Sequence, residues 1–401
     1  MKITTIASTL IMAGLATSPF TANAATSSYA KEIAQKYILV DTHIDVPYRL
    51  EEAYDDVTQA TEKGDFDHPR AVAGGLDAPF MSIYIPATLE KEGGGKALAD
   101  RLIDRVEAMV GRAPDKFALA YSVADIKNNF KLNKISLPMG MENGTAIEGS
   151  LDNLAHFYQR GIRYITLAHS LSNHISDSSY SEDRPWQGLS PFGKKLITEM
   201  NNIGIMIDIS HVSDQAFYQA VELSKVPVIA SHSSLRYFTP GFERNMSDDM
   251  LLALKKNGGV VQINFGSSFV TEEANKYRDK VKSHVTQFMT DKGIADKKDA
   301  AAIAFEKAYK EKDPFPFAST ADVVDHIDRA VKITGIDHVG IGSDYDGVGD
   351  SLPTGLKDVS TFPNLIQELL DRKYSEADIE KLMGANVLRV WQQVEDYAEK
   401  H

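Results

Sequence analysis

Eight short apolar runs recur along this sequence, and most of them end in a residue that can ligate a metal or move a proton. They are Tyr37–Asp45, Pro79–Ile85, Ile135–Glu142, Ile162–His169, Ile205–His211, Val226–His232, Gly259–Phe265 and His338–Asp344. Each is followed by a stretch with helical periodicity, clearest in Lys96–Val110, Ser190–Asn202, Ser213–Ser224 and Ser247–Asn257. Ser190 (before Pro191), Ser213 and Ser247 stand where helix N-caps belong. Strands that alternate with helices imply a parallel sheet. Eight of them predict an α/β protein closed into a (β/α)8 TIM barrel, a fold that readily spans a chain of 401 residues when its loops carry insertions.

Two regions depart from the alternation. Residues 54–75 are polar and glycine-bearing and read as a long loop after the first strand. Residues 271–317 are rich in Lys, Ala, Asp and Glu at helical spacing and read as a helical insertion after the seventh. Loops that follow strands overhang the active-site end of such barrels, so either region is placed to form a lid or a dimer contact. Residues 375–400 read as two closing helices. No linker or repeat divides residues 25–401, which are expected to form one catalytic barrel.

Residues 1–24 have the layout of a secretory signal: Lys2, an apolar core from Ile6 to Ala16, and Ala22-Asn23-Ala24 at the cut. The core is shorter than the roughly 20 residues that cross a bilayer. Cleavage, export to a periplasm or the medium, and no stable membrane anchor are the expectations. With no cysteine, the chain has no disulfide, thiolate ligand or cysteine nucleophile. A net charge of −13 argues against nucleic acid as a partner; a homodimer is left open.

The chemistry sits at the ends of the runs. The first ends Asp41-Thr42-His43-Ile44-Asp45, where alternation puts Asp41, His43 and Asp45 on one face. The third ends in Glu142, the fourth in His169, the fifth in Asp208-Ile209-Ser210-His211, the sixth in Ser231-His232 and the eighth in Ser343-Asp344. Four of the 11 histidines fall at such ends. A lone polar strand end is ordinary, and Asp346-Gly347 alone marks a turn. Apolar strands that repeatedly finish in His, Asp or Glu are hard to explain by packing, because buried charges need partners or a metal. Imidazole and carboxylate without sulfur suit Zn²⁺ and tolerate Mn²⁺ or Co²⁺. Three histidines and two carboxylates exceed the three protein ligands of one catalytic zinc, but five ligands with one bridging carboxylate serve two metals.

Val40-Asp41-Thr42-His43-Ile44-Asp45, Gly140-Met141-Glu142-Asn143-Gly144, Arg163-Tyr164-Ile165-Thr166-Leu167-Ala168-His169, Ile207-Asp208-Ile209-Ser210-His211-Val212-Ser213, Ser231-His232-Ser233-Ser234, Arg244-Asn245 and Gly342-Ser343-Asp344-Tyr345-Asp346-Gly347 follow in order. Together they resemble the membrane (renal-type) dipeptidase family, zinc dipeptidases of the M19 type, from about Leu39 to Arg389. The resemblance implies an exported bacterial member with two Zn²⁺: His43 and Asp45 hold one, His211 and His232 the other, and Glu142 bridges them. It implies that His169 contacts the substrate and helps to stabilise the tetrahedral oxyanion, that Arg244 pairs with the substrate carboxylate, and that Asp344 moves the proton from the attacking water to the leaving amine. Asn143-Gly144-Thr145 and Gly266 depart from the family pattern, which bears on side-chain preference and not on the metals.

The expected activity is hydrolysis of free dipeptides through a metal-bridging hydroxide, with D-residues at the C-terminal position among those accepted. A metal hydrolase of another amide, lactam or ester is the alternative that the ligands alone would also fit. A non-catalytic periplasmic binding protein is the second alternative, and it would have no use for the carboxylates Glu142 and Asp344.

Overall fold

The structure is a computed structural model and describes residues 26–401. Residues 1–24, expected from the sequence to be a secretory signal, lie outside the described residues. Eight parallel strands form the barrel: β1 (Leu39–Ile44), β2 (Leu76–Tyr84), β3 (Met139–Glu142), β4 (Ile162–Thr166), β5 (Met206–Asp208), β6 (Ile229–Ala230), β7 (Val260–Ile263) and β8 (Val339–Ile341), in that order around the sheet. The ring closes between β8 and β1 just beyond the strand ends. There the Asp45 N–H donates to the Tyr345 carbonyl at 2.8 Å and the Asp344 N–H to the His43 carbonyl at 3.0 Å. The strands are short, so the residues that follow them leave the ladder at once and gather at the C-terminal mouth.

The helices start where the sequence places their caps. The hydroxyls of Ser190, Ser213 and Ser247 accept from the backbone N–H groups of Gly193, Ala216 and Met250. Their apolar faces, such as Leu196, Ile197 and Met200, pack on the outside of the strands. Inside the barrel, Val40, Phe80, Tyr164, Met206 and Val260 come from five strands and meet Trp391 of the C-terminal helix Asn386–Ala398. This inner core is the floor of the mouth.

Three expectations are corrected. Residues 54–75 are not loop throughout: Asp67 caps a helix His68–Gly74, with Pro69 in its first turn and Gly75 left-handed at its end (φ +74°). The run 135–142 is two strands. Pro138 has no N–H to continue one ladder, so Ile135–Leu137 pairs with Phe117–Leu119 in a separate small sheet and only Met139–Glu142 joins the barrel. Asp41 does not join His43 and Asp45 at the mouth, because its carboxylate accepts from the backbone N–H and hydroxyl of Ser343 and ties β1 to β8.

Residues 271–317 carry two helices, Glu272–Lys292 and Ala300–Lys312, packed through stacked Phe288 and Phe305 rings 4.3 Å apart. The base of this excursion is pinned by His326, on the buried face of helix Thr320–Thr334. Its Nδ1 accepts from the Leu235 N–H at 3.0 Å, and its Nε2 donates to the Val270 carbonyl at 2.8 Å. Burial lowers its pKa to about 4, against the pull of the Val270 bond and the Asp322 carboxylate. The unfolded chain, near 6.5, therefore takes a proton that the fold refuses. Stability from this site is full above about pH 6.5 and falls as pH drops toward 4, by up to about 1.4 kcal/mol per pH unit. His326→Gln keeps one acceptor and one donor but cannot titrate. Denaturant titrations from pH 4 to 7 should show the wild-type protein losing stability relative to this variant below pH 6.5. A constant difference across that range would rule the linkage out.

Candidate metal centre

Five side chains from four strands converge on one carboxylate. Glu142 ends β3, and its Oε2 lies 3.5 Å from His43 Nε2 at the end of β1. Its Oε1 faces the other way, 3.1 Å from His211 Nε2 after β5, 3.4 Å from His232 Nε2 after β6 and 3.4 Å from His169 Nε2 after β4. Asp45 Oδ2 stands 3.6 Å from His43 Nε2, and His211 Nε2 and His232 Nε2 are 2.8 Å apart. The two oxygens of Glu142 are thus divided between a His43–Asp45 side and a His211–His232 side. Glu142, His43, Asp45, His211 and His232 are buried.

Two of the imidazoles are turned with Nε2 toward this centre. The Tyr164 hydroxyl donates to the Thr42 carbonyl (3.0 Å), so it accepts from His43 Nδ1 (2.7 Å) and aims Nε2 at the carboxylates. The Ser231 hydroxyl donates to Asp208 (2.6 Å), so it accepts from His232 Nδ1 (2.7 Å) with the same result. Burial keeps His211 and His232 well below the usual imidazole pKa, the Arg244 charge acting in the same direction on both. Glu142 is pushed up to about 7 by burial, against the pull of His43 and with the charges of Asp45 and Asp344 adding to the rise. His43 Nε2 and Asp45 Oδ1 are buried without a hydrogen-bond partner. Nitrogen and oxygen donors turned inward with unused lone pairs fit a zinc-type cation.

Around the centre are the other three residues singled out from the sequence. Asp344 follows β8, and its Oδ2 accepts from Asn264 Nδ2 at 2.8 Å. Burial, and then the Asp45 charge, raise its pKa to about 6. The chain packs tightly there: a Cβ on Gly347 would fall 2.2 Å from both Asp344 Oδ1 and Asp45 Oδ2, so the Asp346-Gly347 turn has room only for glycine. His169 packs edge-on to Tyr84, 4.9 Å between centroids, and burial lowers its pKa to about 3, leaving a neutral ring with an N–H to donate.

Arg244 is buried and pairs with no carboxylate among the described residues. Its Nη1 donates to Ser233 Oγ (2.8 Å), its Nη2 to the His232 carbonyl (2.7 Å), and its Nε has no partner. The nearby Asp248 is taken by Arg329. Sequence reasoning missed Tyr164, Ser231 and Asn264 as orienting groups, since neutral residues carry no signal until their neighbours across the barrel are known. Asp208, noted at a strand end, sits one layer beneath the centre and accepts from Ser231. His211 and Asp344 adopt left-handed backbone (φ +69° and +66°), a conformation that turns both side chains out of their strands. Above them opens a cavity of about 880 Å³, ample for a dipeptide.

The family described as Membrane dipeptidase (Peptidase family M19) matches residues 27–401. The dipeptidase aclJ of Aspergillus oryzae is 34% identical, over 84% of this chain and 71% of its own. An uncharacterized dipeptidase of Schizosaccharomyces pombe is 34% identical, over 91% and 82%. The crystal structure of the probable dipeptidase PvdM from Pseudomonas aeruginosa is 28% identical and superposes with a TM-score of 0.81, covering 92% of this chain and 98% of that one.

Proposed function

The chain belongs to the membrane dipeptidase family, peptidase family M19, and on that footing we propose that it hydrolyses free dipeptides with two Zn²⁺ ions and reads their C-terminal carboxylate through Arg244. His43 and Asp45 would hold one ion, His211 and His232 the other, with Glu142 shared; Mn²⁺ or Co²⁺ would fit the same donors. When bound, such a pair supplies a hydroxide near neutral pH and polarises the scissile carbonyl.

The remaining work falls to side chains. Asp344, held by Asn264, accepts the proton of the attacking water and returns it to the leaving amine. His169 donates to the developing oxyanion. Arg244 fixes the far end of the substrate. A carboxylate handle does not depend on configuration at the adjoining Cα, which supports acceptance of D-residues at that position. Export by residues 1–24 remains part of the proposal; no helix among the described residues is long and apolar enough to cross a membrane.

The observation that carries the dipeptide reading is the buried guanidinium of Arg244 without a carboxylate. A buried cation needs an anion, and the missing anion is set close to the metal ligand His232. A charge-assisted bond of this kind is worth about 1.5–3 kcal/mol, or about tenfold to a hundredfold in kcat/KM. Amidating the C-terminus of a Gly-Leu-type dipeptide and replacing Arg244→Ala should each cost that much. Together they should cost little more than either alone, since both remove one interaction. Metal content is measured alongside, because Arg244 also holds the His232 carbonyl. Fully additive losses at unchanged metal content would show that Arg244 does not read the carboxylate. L,D and L,L pairs in the same assay test the stereochemical part.

A further inference from the structure

The insertion after β7 brings a second set of positive charges to the cavity. Arg278 and Lys282 are one turn apart on helix Glu272–Lys292 and so share a face. Both line the cavity with Glu142, His169 and Asp344. The Arg278 guanidinium lies 4.7 Å over the Phe242 ring, and the Arg244 guanidinium 5.5 Å over Phe269. Those two rings are themselves in contact, 5.8 Å between centroids. One aromatic wall therefore carries both guanidiniums, Arg244 at its buried end and Arg278 at its open end.

Neither outer cation is strongly engaged. Among the described residues Arg278 pairs with the adjacent Asp279 alone (3.0 Å), whose side chain is 63% exposed, and such pairs are weak. Lys282 enters no ion pair among the described residues. Of the other charged groups lining the cavity, Asp45 and Glu52 follow β1 and Asp344 and Asp346 follow β8, and Arg49 is already paired with Asp346. Most of the cavity's carboxylates thus come from the loops after β1 and β8, while the insertion supplies two cations against the exposed carboxylate of Asp279.

We propose that Arg278, seconded by Lys282, is a specificity residue that selects dipeptides with an acidic side chain, Asp or Glu, at the C-terminal position. The inference rests on the dipeptidase reading above. With the main-chain carboxylate on Arg244, the side chain of the same residue runs along the Phe269–Phe242 wall toward Arg278. The stacked ring holds the guanidinium's plane, leaving its edge N–H groups free to meet a carboxylate. Displacing Asp279 costs little because that pair is already wetted.

The test uses the metal-loaded enzyme and isosteric pairs, Ala-Asp against Ala-Asn and Ala-Glu against Ala-Gln. The wild-type enzyme should favour the acidic member by about threefold to tenfold in kcat/KM, the range open to a partly exposed charge pair. The preference should shrink with added salt. Arg278→Gln should bring the ratio to about one, and Lys282→Gln should lower it in part. The ratio is the readout, since a general loss of structure would lower both members together. Equal hydrolysis of acid and amide by the wild-type enzyme, or a ratio that survives Arg278→Gln, overturns this inference and leaves the dipeptidase reading standing. Failure to hydrolyse any dipeptide overturns that reading, and this inference with it.

Discussion

Glu142→Ala is expected to strip the protein of most of its metal and nearly all of its hydrolytic activity while the barrel stays folded. Glu142 divides its two oxygens between the halves of the centre, with Oε2 toward His43 and Oε1 toward His211 and His232. Without it, two closely spaced cations would face each other with no carboxylate shared between them. The fold does not depend on it. In the metal-free state a buried carboxylate pushed up to about 7 is a cost and not a support. Metal-free Glu142→Ala should accordingly unfold no earlier than metal-free wild type. Added Zn²⁺ should raise the wild-type Tm and barely move that of the variant, because an ion stabilises only the state that binds it. Elemental analysis and thermal melts decide the matter. Two full equivalents of zinc in purified Glu142→Ala would remove Glu142 from its bridging place.

Asp344→Asn should separate chemistry from metal binding, lowering turnover by about 10²–10⁴-fold with metal content close to normal. The substitution is conservative where it matters. Position 344 is left-handed (φ +66°), which Asn tolerates nearly as well as Asp and which Ala does not. The Asn264 amide can still donate to the remaining carbonyl oxygen. What disappears is the group that takes and returns a proton. Atoms of Asp344, His43 and Asp45 lie within 4.8 Å of one another, so metal analysis is the discriminating measurement. A variant that loses metal along with turnover would make Asp344 a ligand, and a variant with undiminished turnover would leave proton transfer to another group.

The barrel and the members of the centre were legible in the sequence for one reason. A parallel barrel buries its strands on both sides, so they read as apolar runs, and the polar residues that end them stand out. His43, Glu142, His211 and His232 were visible in that way. The orienting groups were not. Tyr164 reads as one more barrel residue, and only the fold shows its hydroxyl reaching from β4 to His43 on β1. Asn264 needed β7 beside β8 before its contact with Asp344 had meaning. Asp41 misled because period-two alternation gives the face of a strand and not the depth along it, and depth decides whether a carboxylate meets a metal or Ser343. The helix His68–Gly74 is seven residues long, below the length at which periodicity speaks, although Asp67, Pro69 and Gly75 marked its two ends.

The closure of the ring carries a mechanical implication. Seven junctions in the barrel are strand ladders; the eighth, between β8 and β1, is fastened by the Asp41–Ser343 clasp, the Thr42 hydroxyl on the Ile341 carbonyl, and two backbone bonds at Asp45 and Asp344. The two backbone bonds belong to the residues assigned to hold a metal and to shuttle the proton. Any slackening of this joint widens the gap between those residues. The spacing proposed to matter for turnover is therefore set by a junction of the barrel that side chains help to fasten, and damage to that joint should be read in catalysis as well as in structure.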